Sequence, residues 1–245
     1  MSKWLEARVL ENRRWTDTAF SLRAQLTGDA PRLGFEAGQF VRIALEEDLA
    51  RPFSFVNPPQ DPVLEFYGIV VPGGPLSPRL ERLRAGERLL VASNPAGFLV
   101  LSEVPEAKTL WLVSTGTGIA PFLSILRTET PWTRFRNVVL VHAVRHAAEL
   151  VYQDVIRKIS KERDLRTVTF VSREAHDGSL AGRIPSGLRD GRLEKAAGLA
   201  LDHDAHVMLC GNPDMLKDAQ AALAERGLRK HRRRNPGHIT VESFW

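Results

Sequence analysis

The sequence predicts two domains, an antiparallel β-barrel over residues 1–102 and an α/β domain built on a parallel sheet over 103–245. Three observations lead there. Up to about residue 100, apolar and polar residues alternate at period two in short runs separated by Gly and Pro. After Glu103-Val-Pro-Glu-Ala107 the runs become wholly apolar and alternate with stretches of helical period. A chain of 245 residues is also long enough for two domains of roughly 100–150 residues each.

In the first half, Leu5, Ala7 and Val9 mark one strand. From Phe20 to Leu26 the apolar residues share one face, with Ser21, Arg23 and Gln25 on the other. Val41, Ile43 and Leu45 repeat the pattern, and Phe53–Val56, Leu64–Val71 and Leu89–Ala92 are further strands. Asn57-Pro58-Pro59 and Pro72-Gly73-Gly74-Pro75 are turns. Many short strands between turns suit a barrel or a sandwich. In the second half, Thr109–Val113, Val138–Ala143, Thr167–Val171 and Val207–Cys210 read as buried strands. The stripe Ala148, Val151, Tyr152, Val155, Ile159 predicts a helix over 147–161. Asn212 is placed to cap a helix opened by Pro213, with Gly227 at its end. There is no internal repeat.

A hydrophobic content of 43% with 26% charge is that of a soluble globular protein. Charges interrupt every apolar run of the N-terminal segment, which therefore reads as neither a signal peptide nor a membrane span. The single cysteine, Cys210, forbids an intramolecular disulfide and agrees with a reducing compartment. The expectation is a cytoplasmic monomer without membrane attachment. The net charge of +5 favours anionic partners, whether nucleic acid, phosphate-bearing cofactors or an acidic protein. Seven histidines show no ligand spacing, so no metal site is expected, and His142 reads as a core residue.

The residues suited to chemistry fall in seven groups. Arg51-Pro52-Phe53-Ser54 offers a charge for a phosphate, a ring to cover a flat heterocycle and a hydroxyl for a ring heteroatom. Alone it also describes a surface arginine beside a core phenylalanine. Tyr67-Gly68-Ile69-Val70 runs into a Gly/Pro turn and then Pro75-Leu76-Ser77, either an anion cradle or a plain hairpin connection. Ser114-Thr-Gly-Thr117-Gly-Ile-Ala-Pro121 follows a strand and opens toward a helix. Pro121 stands where the dinucleotide fingerprint has its third glycine, so a different nucleotide module is indicated. Arg145, Arg173 and Arg183 each follow a strand, where a parallel sheet gathers ligands and where guanidinium suits a 2′-phosphate; otherwise they are solvated loop charges. Cys210-Gly-Asn212-Pro-Asp214 joins the last predicted strand to the last helix, with Cys210 at the crevice or simply in the core. Ile239-Thr-Val-Glu242-Ser-Phe244-Trp245 either docks its rings on something flat or finishes the sheet. The run Arg229–Arg234 is the densest charge, without any nucleic-acid fold signature beside it.

Taken in this order, the segments resemble the ferredoxin–NADP⁺ reductase family, in particular its bacterial branch that also serves flavodoxin. The resemblance spans essentially the whole chain. It implies a six-stranded antiparallel barrel that binds FAD and a five-stranded parallel α/β domain that binds NADP(H). It also implies roles by position. Arg51 would meet the FAD pyrophosphate, with Pro52 beside it, Phe53 would stack on the isoalloxazine, and Ser54 would bond near flavin N5. Tyr67, Gly68, Ile69 and Val70 would line the FAD, Pro75, Leu76 and Ser77 would hold its phosphates, and Thr117 would reach it from the second domain. Arg173, Arg183 and Ser172 would bind the 2′-phosphate, Arg145 would stack on adenine, and Asn212 and Asp214 would complete the NADP(H) site. Cys210 would pack beside nicotinamide C4, and Glu242 would deliver a proton or position Ser54. Phe244 would cover the flavin and Trp245 the adenine of FAD. Phe53 stands where Tyr is commoner, and plant-type members end at a tyrosine where this chain has Phe244 and then Trp245. An acidic ferredoxin or flavodoxin would be steered by Arg229–Arg234.

Rival readings exist. An oxygenase reductase with an appended iron–sulfur domain needs four cysteines, and this chain has one. An NADH-specific relative fits poorly with Arg173 and Arg183. A cofactor-free basic binding module would carry no flavin.

Overall fold

The computed structural model describes residues 4–28 and 32–243. Six antiparallel strands come first: β1 (Trp4–Arg14), β2 (Ala19–Leu26), β3 (Phe40–Ala44), β4 (Ala50–Ser54), β5 (Val63–Ile69) and β6 (Arg88–Ala92), with a short helix α1 (Ser77–Glu81) between the last two. Their order in the sheet is β4-β3-β6-β1-β2-β5. The edges meet where Phe55 bridges Phe66 and Val56 N–H donates to Glu65 at 2.8 Å, which curls the sheet into a barrel. Period-two side chains fill it, with Ala7, Val9, Phe20, Leu22, Ala24, Val41, Ile43, Phe66, Leu89 and Val91 all buried inside.

The second half is β7 (Thr109–Thr115), α2 (Ala120–Leu126), α3 (Thr130–Arg134), β8 (Asn137–Val144), α4 (Gln153–Glu162), β9 (Leu165–Val171), β10 (Leu180–Ala181), α5 (Ile184–Arg189), α6 (Arg192–Ala197), β11 (Ala205–Gly211), α7 (Pro213–Ala224) and β12 (Ile239–Ser243). The sheet order is β10-β9-β8-β7-β11-β12, all parallel. It therefore has six strands where the resemblance implied five. The additional one is the two-residue β10, which pairs Leu180 and Ala181 with the end of β9. Alternation splits each strand between two cores: Leu110, Leu112, Leu140 and Met208 face one way, Trp111, Val113, Val139 and Leu209 the other. Such doubly covered strands read as continuous apolar runs.

The helix expected over 147–161 is not continuous. Residues 147–149 form a single 3-10 turn, Tyr152 takes a left-handed conformation at φ 57°, and α4 starts only at Gln153. Tertiary packing overrides the periodicity here. Val151 and Tyr152 are buried toward the barrel, where Tyr152 sits 4.9 Å from Trp15 and 5.6 Å from Tyr67 between ring centroids. A regular helix through 152 would turn that ring with the rest of the stripe.

One core is shared by both halves. Ala19, Val56, Tyr67, Leu99 and Leu101 from the barrel side pack with Leu112, Phe122, Leu140, Tyr152 and Met208. Polar ties cross the same seam. The buried Ser124 hydroxyl donates to Asn57 O at 2.7 Å, and Arg127 donates to Val56 O and to Glu65 at 3.2 Å. Asn57 is itself held by the Glu65 N–H at 2.8 Å. No helix among the described residues is long and apolar enough to cross a membrane, and no group of three or more His, Cys, Asp or Glu among them could hold a metal ion.

At the start of α7 the Asn212 side chain accepts from the N–H groups of Asp214 and Met215, at 2.9 and 3.2 Å. Asn212→Ala should therefore lower the unfolding free energy by about 1 kcal/mol. Urea denaturation reads this, and an unchanged midpoint would show that the cap carries no stability.

Candidate active site in the crevice between barrel and sheet

Strand β4 presents the first group of residues. Arg51 and Pro52 are exposed, and the Arg51 guanidinium donates, among the described residues, to the neighbouring Ala50 O at 2.9 Å. Phe53 is half-buried with its ring on Gly68, where a Cβ would come within 2.6 Å of ring carbon Cε1. Glycine at 68 is thus the condition for that ring position. Ser54 is 5% exposed, and its hydroxyl has no hydrogen-bond partner among the described residues. A buried hydroxyl left unpaired is unfavourable unless something else bonds it.

On β5, Tyr67 turns its ring into the shared core, edge-on to Tyr152, and burial pushes its phenol well above the ordinary tyrosine range. Ile69 packs on that same core and Val70 on the barrel interior. After the turn, Pro75 is exposed and Leu76 is buried in the barrel. The Ser77 hydroxyl accepts from Val71 N–H at 2.8 Å. Of the three residues expected at phosphates, Leu76 thus offers only its backbone.

Opposite lie the ends of β11 and β12, in register at Cys210 and Glu242. Cys210 is fully buried, and burial, with the nearby Glu242 charge, pushes its thiol well above its usual pKa. Glu242 is raised from the usual 4.5 to about 7 by burial, opposed by the Phe98 backbone N–H. Its Oε1 is buried without a partner among the described residues. A Cβ at Gly97 would lie 3.0 Å from Glu242 Oε2 and 3.1 Å from the Phe40 ring, and Phe40 pairs with Ser54 in the barrel. The two orphaned oxygens, Ser54 Oγ and Glu242 Oε1, thus belong to neighbours of one small contact. Phe244 and Trp245 lie outside the described residues.

Between these groups runs the turn Gly116–Ile119, with Thr117 half-buried. It packs against the end of β11, where a Cβ on Gly118 would come within 2.5 Å of Cys210 O, and against β5. Thr115 Oγ1 takes the Asn212 N–H at 3.0 Å, which ties the turn to the start of α7. The Asn212 side chain is used as the α7 cap and Asp214 is exposed.

Beyond it, Arg145, Arg173 and Arg183 follow the C-terminal ends of the adjacent strands β8, β9 and β10. All three are exposed, and none makes an ion pair or side-chain hydrogen bond among the described residues. Backbones join them: Arg173 N–H donates to Arg145 O at 2.9 Å, and Ser172 donates through both N–H and hydroxyl to Val144 O. Glu174 accepts from Ala147 N–H at 2.6 Å and its carboxyl is held below the usual range by that bond and by His146. Three free guanidiniums along one edge are suited to a polyanion.

Sequence reasoning missed Gly97 and Phe98, which nothing local marks. Thr115 stands inside the Ser114–Pro121 segment and Glu174 directly follows Arg173, yet neither was given a role of its own. In the basic run, Arg233 is paired with Glu103 (2.8 Å from Nε) and covers the ring of the exposed Phe98 at 4.8 Å. Arg229 donates to Pro236 O at 3.1 Å, while Lys230, Arg232 and Arg234 are exposed.

The raised Glu242 pKa has a consequence for stability. The folded state holds that proton more tightly than the unfolded chain. Its contribution is complete below about pH 4.5 and is lost as the pH rises through about 7. Glu242→Gln should flatten this decline, leaving the variant on the order of 2 kcal/mol less pH-dependent between pH 5 and 8. Urea midpoints at the two pH values decide it; an equal decline in both proteins would remove the buried acid from the account.

The family model described as an oxidoreductase NAD-binding domain matches residues 112–221. The flavodoxin/ferredoxin–NADP reductase of Escherichia coli K12 is 48% identical over 252 residues, covering 100% of both chains. The ferredoxin–NADP reductase of Pseudomonas aeruginosa is 38% identical, covering 99% of this chain and 98% of its own. Among solved structures, a ferredoxin NADP⁺ reductase from Neisseria gonorrhoeae with bound FAD and NADP superposes with a TM-score of 0.94 at 32% identity, covering 100% of both chains. This chain belongs to the flavodoxin/ferredoxin–NADP reductase family.

Proposed function

We propose that the protein is an FAD-dependent NADPH:ferredoxin/flavodoxin oxidoreductase. The carrying observation is the pair of buried oxygens Ser54 Oγ and Glu242 Oε1, without partners among the described residues, together with the three exposed arginines that follow the neighbouring strands β8, β9 and β10. Polar atoms buried without partners fit a bound heterocycle, and free guanidiniums fit its phosphates. We further propose that the chain divides at 102/103 into FAD-binding and NADP(H)-binding domains. The Neisseria gonorrhoeae relative, with both nucleotides bound, supports this reading.

A flavin held here would supply the redox chemistry, coupling hydride transfer from NADPH to single-electron exchange with a carrier. The chain supplies orientation. Phe53 would cover the flavin ring, Ser54 would bond its edge, and Arg51 would neutralise a phosphate. Thr117 would approach from the sheet side, with backbone from Gly68–Val70 and Pro75–Ser77 around the nucleotide. Arg173, Arg183 and Ser172 would clamp the 2′-phosphate and Arg145 would lie on the adenine. Cys210 keeps its proton and serves as a small apolar wall. Glu242 holds a proton up to about pH 7 and can give it up as charge changes beside it. Phe244 and Trp245 would cover the two ends of FAD.

The visible spectrum of the purified protein, followed under anaerobic NADPH and then NADH, tests this. Flavin bands should bleach far faster with NADPH. Replacing Arg173 and Arg183 by Ala should raise the KM for NADPH by roughly 10–100-fold, as expected for lost charge-assisted bonds, and leave the NADH rate unchanged. A colourless protein that FAD cannot reconstitute would overturn the proposal.

Carrier docking belongs to the same reading. Lys230, Arg232 and Arg234 project beside the Arg233–Glu103 pair and the exposed Phe98. These would steer an acidic carrier toward the crevice, with a rate that falls as salt rises. We take the enzyme to be monomeric, since the exposed large apolar residues among those described are only Leu10, Val71 and Phe98. Its buried lone cysteine suits the cytoplasm. The double variant Arg232→Ala/Arg234→Ala should raise the carrier KM by about 3–10-fold at low ionic strength and spare dye reduction by NADPH. Equal loss of both activities would remove the steering role.

A further inference from the structure

A buried histidine that takes no part in the site above touches the turn that crosses it. His142 lies on β8, in register with Ser114 of β7 and Thr169 of β9. It shares the face of Leu140, which looks into the core common to barrel and sheet. Only 1% of it is exposed. Nε2 lies 3.1 Å from Gly116 O. A carbonyl can only accept, so Nε2 carries the proton. Burial holds the ring at a pKa of about 4, so the ring is neutral. Nδ1 is then a bare acceptor, and it is buried with no partner. An aliphatic residue would fill this face without an orphaned nitrogen, so the bond to Gly116 is what the histidine adds.

That bond has a geometric consequence one residue on. The Gly116–Thr117 peptide is trans, as are all those described. In a trans peptide the carbonyl and the following N–H point in opposite directions. With Gly116 O turned onto His142, the Thr117 N–H points away from that histidine. Gly116 itself is left-handed, at φ 51°, a conformation glycine adopts without steric cost. The same turn presses Gly118 onto Cys210 O. The turn thus touches Cys210, the residue that would pack beside the nicotinamide.

We propose that His142 is a positioning residue: by donating to Gly116 O it fixes the Gly116–Ile119 turn and so the affinity for the nicotinamide half of NADP(H). The inference rests on the NADP(H) reading above. It separates the two ends of the ligand. The adenine end, with its 2′-phosphate, belongs to the arginines and is independent of His142. The nicotinamide end must pass along the turn to reach Cys210 and Ser54.

Two near-isosteric substitutions test it on the FAD-loaded enzyme. Glutamine places its amide nitrogen where Nε2 was and keeps the donor; asparagine places it where Nδ1 was and loses the donor. Calorimetric titration with NADP⁺ should show a Kd raised roughly tenfold in His142→Asn, the size expected for one lost hydrogen bond, and within about threefold of wild type in His142→Gln. Titration with 2′-AMP, which lacks the nicotinamide half, should be unchanged in both variants, and FAD content should be unchanged. Equal NADP⁺ affinity in the two variants would overturn the proposal. So would a loss of 2′-AMP affinity in step with NADP⁺, which marks general loosening, or a loss of FAD affinity alone, which would give the turn to the flavin. A wild-type protein that binds neither ligand would overturn the parent reading instead. If the asparagine variant does not accumulate, the wild-type imidazole gives a second test by long-range ¹H–¹⁵N spectra. A slowly exchanging Nε2–H that shifts with NADP⁺ and not with 2′-AMP is expected. An Nδ1–H tautomer, or no shift with NADP⁺, would overturn it.

Discussion

The crevice depends on one seam of apolar side chains. Val56, Tyr67 and Leu99 from the barrel side and Phe122, Leu140, Tyr152, Met208 and Cys210 from the sheet side form a single buried cluster. Non-directional burial alone would let the two halves slide. The seam is indexed by bonds that tolerate little movement, from Ser124 to Asn57 O and from Arg127 to Val56 O and Glu65. Because hydrogen bonds inside such a core are costly to break without replacement, the two halves have one relative position. That position brings Ser54, at the end of β4, to the same region as Cys210 and Glu242, at the ends of β11 and β12.

The two ends of the crevice are electrostatic opposites in kind. At one end, burial without partners leaves oxygens that are short of donors, and a carboxyl that keeps its proton to about pH 7. At the other, three exposed guanidiniums make no ion pair among the described residues. The first arrangement suits a neutral heterocycle whose charge changes; the second suits fixed phosphate charge. A ligand that carries phosphates on one end and a redox ring on the other would be oriented by this gradient before any specific contact forms.

Close backbone approach decides how near the parts can come. Gly68 leaves room for the Phe53 ring, and Gly118 lets the Gly116–Ile119 turn rest on Cys210 O. Gly97 does the same for the Glu242 carboxylate. A Cβ would overlap the edge of the half-buried Phe53 ring at 68 and a strand carbonyl at 118, and at 97 it would press on the carboxyl of Glu242. The small residues are therefore part of the site although they offer no functional group.

Sequence by itself determined the architecture. Period-two alternation through Phe20–Leu26 and continuous apolar runs such as Val138–Ala143 set one-sided and two-sided burial respectively, because side-chain direction in a strand is fixed by the backbone. The order of short motifs from Arg51 to Glu242 was legible too, as was the Asn212-Pro213 cap, since each depends on residues close in the chain. What depends on distant neighbours was not. The stripe 147–161 reads as a helix, yet the seam claims Tyr152 and breaks it. Two-residue β10 has too little sequence to announce itself. Tyr67 stands in a motif strand but spends its ring on the seam. The orphaned oxygens of Ser54 and Glu242, the inward bond of His142 and the gap at Gly97 exist only because strands far apart in sequence end at one place. Local pattern decides which way a side chain points, and only the packed fold decides what it meets there.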